Sequence, residues 1–199
     1  PSVTGIRADH PGWPQEIGGH EYLVAVRSDP FSGTSVLSTT IQTAMLLRRL
    51  LDPLNLSTSE GLFGQRVFIF TDDLDVTNRL YDDLADAEGL KRKGRSYVPD
   101  PRRDSLATLR SPLLECDEEA RWLDGQSWRF VDRIGYDLSL KQKIRLDRVS
   151  SQDTGLSQQA DVVVATASLE VGYDDEKCGA VIQHKAPYDP AGFKQRHGR

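Results

Sequence analysis

The sequence predicts an α/β domain with a mostly parallel central sheet and helices on both of its faces. Three observations carry that expectation. Residues 67–70 (Val-Phe-Ile-Phe) and 162–165 (Val-Val-Val-Ala) are continuous apolar runs, the pattern of buried strands, the second covered on both sides rather than one, and a further apolar run follows at residues 180–182 (Ala-Val-Ile). Helix-period segments lie at residues 35–51 and 72–84. A polar, glycine-containing loop, residues 166–174, follows the most β-branched run, and sites on such sheets form at the carboxyl ends of the strands.

In chain order, residues 1–35 hold several prolines and glycines around one candidate strand, residues 22–26, and read as a connector from a preceding domain. His10, Trp13 and His20 fall there without metal-ligand spacing. The first helix is expected over residues 35–51, capped by Ser38, Thr39 or Thr40 and stopped by Asp52-Pro53. Leu37, Ile41, Ala44, Leu47 and Leu51 share one of its faces. After residues 67–70, Thr71 or Asp72 is the expected cap of a second helix lined by Leu74, Thr77, Leu80, Tyr81 and Leu84. Asp72, Asp73 and Asp75 suit the positive end of its dipole.

From residue 87 to residue 143 the periodicity weakens. Lys91, Arg92, Lys93, Arg95, Arg102 and Arg103 form a basic run, read either as a solvated loop or as a DNA-backbone contact. Trp122 and Trp128 either stack on bases or cover a small local core. Ile144, Leu146 and Val149 restore strand character ahead of a polar loop at residues 150–155. Asp189-Pro190 starts a last helix, a capping carboxylate followed by proline at the first helical position.

Composition sets outer bounds. A chain of 199 residues fits one large or two small domains. No apolar stretch approaches a membrane span and no basic-then-apolar leader is present, so no membrane partner is expected and the compartment reads as cytoplasmic. Cys116 and Cys178 lie far apart without a CxxC pattern, so neither a metal site nor a disulfide framework is expected. The net charge of −5 excludes a basic coat, yet a cleft can still grip phosphates with a few local groups.

The residues then carry a resemblance. Ala165-Thr166-Ala167-Ser168-Leu169-Glu170-Val171-Gly172-Tyr173-Asp174 looks like motif V of superfamily 2 helicases. Gln195-Arg196-His197-Gly198-Arg199 resembles the opening of their motif VI, whose pattern is QRxGRxGR, and residues 67–71 resemble motif IV. The resemblance implies a three-layer RecA-like domain, the second of the two in such motors, over residues 36–199, with residues 87–143 as an insertion between motifs IV and V. Glu170 stands where DEAD-box proteins carry arginine. The Leu-Glu-Val-Gly form is closer to large bacterial and fungal DNA helicases whose relatives or partner subunits carry a DUF1998 domain. Among those the chain looks most like the large helicase subunits of DISARM-type antiphage systems. No GxxxxGK[ST] loop is present and no DExx-type tetrad stands at the end of an apolar strand, and the sequence stops inside the motif VI pattern, so the expectation is a piece of a longer protein.

The resemblance implies a division of labour. ATP and magnesium would be held mainly by a first RecA-like domain, while Arg199 reaches across as an arginine finger and Gln195 approaches the γ-phosphate or the attacking water. Arg196 would join them, its alternative being a salt bridge back into the domain. Gly172 and Asp174 would face the nucleotide. Thr166 with Ala167, Thr71, Ser151 and Gln152 would meet nucleic-acid phosphates, DNA being expected and RNA left open; for Thr71, helix capping is an equal reading. His184 and Lys185 read as structural. The implied activity is ATP-dependent translocation or unwinding, inactive in this segment alone. The alternative is a degenerate RecA-like module kept as a protein-interaction scaffold in a defence or repair complex.

Overall fold

In a computed structural model of the chain, the residues described are 23–27, 35–52, 63–109, 143–150, 155–166 and 175–186. They form helix α1 (Val36–Leu50), strand β1 (Arg66–Thr71), helix α2 (Leu74–Ala87), strands β2 (Leu90–Lys93) and β3 (Ser96–Pro99), a short α3 (Leu106–Leu109), and strands β4 (Leu146–Val149), β5 (Val162–Thr166) and β6 (Cys178–Gln183). Four strands make one sheet in the order β4-β5-β1-β6, while β2 and β3 pair separately. Every pairing in the larger sheet is parallel. The fold is therefore α/β with a parallel central sheet, as the apolar runs predict.

The alternation of side chains along each strand divides the core in two. Val67, Ile69, Val162 and Val164 face α1 and α2, where Ile41, Ala44, Met45, Leu80, Tyr81 and Leu84 meet them. Phe68, Phe70, Val163 and Ala165 point the other way and are buried with Val149 and Ala160. Each fully buried Val, Ile or Leu contributes roughly 1.5–3 kcal/mol relative to exposure. Continuous apolar runs are thus required because β1 and β5 are withdrawn from water on both faces. The described helices all pack on one face; the helix expected after Asp189 lies outside the described residues.

Several local expectations are corrected. The α1 cap is Ser35, whose side chain accepts from the Ser38 N–H at 3.2 Å. Thr40, a proposed cap, instead donates back to the Val36 carbonyl at 3.0 Å, as threonine inside a helix commonly does. The α2 cap is Asp73, not Thr71 or Asp72; its carboxylate accepts from Asp75 and Val76. Leu74, expected on the buried face of α2, is 37% exposed at its start. Residues 23–27 form no strand, and Leu23, Val24 and Val26 are exposed; β-propensity without a pairing partner does not make one.

Within the expected insertion, Lys91, Arg92, Lys93 and Arg95 of the basic run lie on an antiparallel hairpin, while Arg102 and Arg103 follow it in a turn. The hairpin's two-residue turn is Gly94-Arg95, with Gly94 at φ 65°. Glycine at the first turn position supplies the positive φ that tight hairpin turns need.

The start of the sheet is tied by arginines. Asp161, at the entry to β5, accepts from Arg48 at 2.8 Å and Arg145 at 2.9 Å. Burial opposes its ionisation, but these bonds hold its carboxyl below the usual range. Arg66 opens β1 and bonds the carboxylate of Asp175 and the carbonyls of Ala160 and Gln158. Arg49 and Glu88 form a buried two-pronged pair at 2.7 and 3.0 Å that joins α1 to the end of α2.

Candidate functional site at the carboxyl ends of the strands

With the amino pole of the sheet occupied by ion pairs, the carboxyl pole carries hydroxyls, a histidine and a lysine. Thr71 ends β1 and Thr166 ends β5, and the two are register partners on adjacent parallel strands. Strands so paired lie about 4.8 Å apart. Residues 95 positions apart in sequence are thereby brought side by side, at the end of the sheet where α/β domains form their sites.

The two threonines are not equivalent. Thr71 is fully buried. Its Oγ1 lies 3.1 Å from the Asp73 carbonyl and 2.5 Å from Thr77 Oγ1, and Thr77 Oγ1 donates to the same carbonyl at 2.9 Å. This triangle fastens the end of β1 to the first turn of α2, a structural tie other than the cap expected of Thr71. Thr166 is only half-buried. It is the more exposed of the pair.

Beside them, β6 delivers His184, whose backbone N–H bonds the Phe70 carbonyl at 2.9 Å and so extends the ladder to the end of β1. The ring of His184 is buried, and its Nδ1 lies 2.8 Å from Thr40 Oγ1. Burial, and then the neighbouring Lys185, lower its basicity, so the ring is neutral at pH 7. His184 is therefore structural as expected: it pins the start of α1 to the carboxyl pole. Lys185 follows at φ 66°, the one non-glycine in the left-handed region among the described residues. That conformation costs roughly 1–2 kcal/mol, and the lysine is exposed. The Thr40–His184 contact had no sequence signal, because its members are 144 residues apart.

Arg199, Gln195, Arg196, Gly172, Asp174, Ala167, Ser151 and Gln152 lie outside the described residues. Ser150, immediately before Ser151, is buried at the end of β4 on the same pole. Among the described residues no three His, Cys, Asp or Glu side chains group as metal ligands. None of the described helices is long and apolar enough to cross a membrane. Comparison with protein-family models, with curated proteins and with solved structures finds no match.

Proposed function

We propose that this chain is the second RecA-like domain of an ATP-dependent superfamily 2 DNA helicase or translocase, acting in the cytoplasm and nearest in kind to the large subunits of DISARM-type defence systems. One observation carries the reading. The motif V-like stretch begins at the end of β5, the motif IV-like strand is the adjacent β1, and their terminal threonines share a register position. Gln195-Arg196-His197-Gly198-Arg199 follows after one further strand, the order such motors use.

In this mechanism Thr166 and Ala167 hold a phosphate of the DNA strand at the carboxyl pole, with Ser151 and Gln152 on the neighbouring strand end. The first RecA-like domain would bind ATP and supply the magnesium ligands. Arg199 and Gln195 complete the nucleotide site from this side, with Gly172 and Asp174 against the nucleotide. A guanidinium placed on the transferring phosphoryl group stabilises charge that develops only in the transition state. Closure of the two domains then shifts the phosphate grip at Thr166, and hydrolysis releases it. A DUF1998-type subunit is the expected protein partner.

The test is Arg199→Ala in the polypeptide that carries both domains, assayed as DNA-stimulated ATP hydrolysis. A finger of this kind is worth about 10³–10⁵ in rate, so turnover falls by orders of magnitude. An unchanged rate overturns the motor and favours a scaffold.

A further inference from the structure

We propose that the β2–β3 hairpin is a second nucleic-acid contact, a ribbon that lies against the phosphate backbone of duplex DNA. This rests on the motor reading but concerns a different part of the surface. Residues 90–99 carry Lys91, Arg92, Lys93 and Arg95 and no acidic residue. The register pairs Lys91 with Val98, Arg92 with Tyr97 and Lys93 with Ser96, so Lys91 and Lys93 share one face and Tyr97 lies on the other.

The Tyr97 face is turned inward. Its ring packs edge-on against Tyr81 at 5.4 Å, and its hydroxyl donates to Asp82 at 2.8 Å. The outward face bears Lys91 and Lys93, about 6.7 Å apart along the strand, with Arg95 at the tip; all three are exposed. None of the three has an ion-pair partner among the described residues. Of the nearby acids, Asp82 accepts from Tyr97, Asp86 pairs with Arg103 at 2.5 Å, and Asp100, close enough to Lys91 to feel its charge, accepts from the Arg102 N–H at 3.0 Å.

The ribbon is held firmly. Lys143 Nζ donates to the carbonyls of Gly89 and Asp100 at 2.7 and 2.6 Å and also to that of Arg103, while Arg103 donates to the Leu90 carbonyl at 3.0 Å. These bonds clamp the base of the hairpin beside the end of α2. The body then runs back along α2, from the level of Asp86 at Arg103 to the level of Asp82 at Tyr97. The tip therefore points toward the start of α2 and the carboxyl pole, where Thr71 and Thr166 lie.

The chemistry of the outward face selects its partner. Closely spaced cations without an exposed aromatic or a large apolar anchor suit phosphates and give a protein or lipid surface little to bury against. Single-strand binders rely on aromatic platforms for the bases, and the ribbon's own aromatic is occupied. Duplex backbone remains, gripped by charge alone and without sequence preference.

The experiment measures affinity against salt concentration for the full chain, with a labelled duplex and a labelled single strand. It compares wild type with the triple variant Lys91→Gln, Lys93→Gln, Arg95→Gln. Each phosphate contact contributes about 0.9 to the slope of log affinity against log salt. The variant is therefore expected to lose about 2.7 from the duplex slope, on the order of 10²-fold in affinity near 0.15 M salt. Wild-type binding with an unchanged duplex slope in the variant overturns the hairpin contact and leaves the motor reading standing. A loss confined to the single strand overturns the duplex assignment. No binding of either probe by wild type overturns both. Because folding of the triple variant must be independent of the result, lysine acylation of the wild-type chain provides a second readout: Lys91 and Lys93 are expected to be protected by duplex, and equal labelling with and without it refutes the contact.

Discussion

Removing the carboxylate of Glu88 tests the energetics of the fold most directly. Glu88 is fully buried at the C-cap of α2, where a negative charge opposes the helix dipole. What holds it there is Arg49, bonded at 2.7 and 3.0 Å, with the Ile144 N–H at 3.3 Å. Arg49 is itself 6% exposed, and its Nε has no hydrogen-bond partner. Glu88→Ala therefore strands a guanidinium in the core. Breaking one side of such a pair costs about 3–5 kcal/mol, a large share of a typical total of roughly 5–15 kcal/mol. For a domain of this size each kcal/mol lowers Tm by about 2–4 °C, so the midpoint should drop by about 6–20 °C. Replacing both partners, as in Arg49→Met with Glu88→Leu, removes the charges together and should be neutral or stabilising by up to ~4 kcal/mol. Urea and thermal melts of the wild type, both single variants and the double variant close the cycle. A Glu88→Ala loss below about 1 kcal/mol, or a double variant as unstable as the single, would refute the stranded-charge argument.

Three further outcomes are expected at other sites. Thr71→Val should lower stability by about 1–3 kcal/mol, by breaking the triangle with Thr77 and Asp73, and should leave DNA affinity unchanged. On the proposed motor reading Thr166→Val should lose about 1.5–3 kcal/mol of DNA binding, the cost of a hydrogen bond to a charged phosphate; fluorescence anisotropy and urea melts on both variants separate the roles. Asp161 sets the acid response, because its folded pKa is depressed. Its stabilising contribution is complete above the unfolded value near 3.9 and is lost as pH falls through the folded value. Asp161→Asn should therefore be much less stable than wild type at neutral pH and nearly equal to it in strong acid. A constant gap across that range would show that Asp161 is not the titrating group.

The strands and helices of the sheet were legible because their signals are local. Val162, Val163 and Val164 announce burial on both faces without reference to any other residue, and the helix-period runs at α1 and α2 do the same. Caps were less legible. Ser35, Ser38, Thr39 and Thr40 are chemically interchangeable as caps, and only the backbone conformation at Ser35 decides among them. The hairpin was missed because four adjacent basic and polar residues mask a two-residue turn, although Gly94 was a usable signal. Residues 22–26 read as a strand for the opposite reason: propensity was present, but residues 23–27 form no strand and have no pairing strand among the described residues.

Residue types and their order determined the α/β class, the positions of the central-sheet strands and the motif-like stretches around Thr166 and Arg199. Tertiary structure alone decided which distant residues meet: Thr71 beside Thr166, His184 beneath Thr40, Arg49 against Glu88. Periodicity records how a segment treats water. Strand order and register arise from the simultaneous packing of all segments, which no single stretch of sequence encodes.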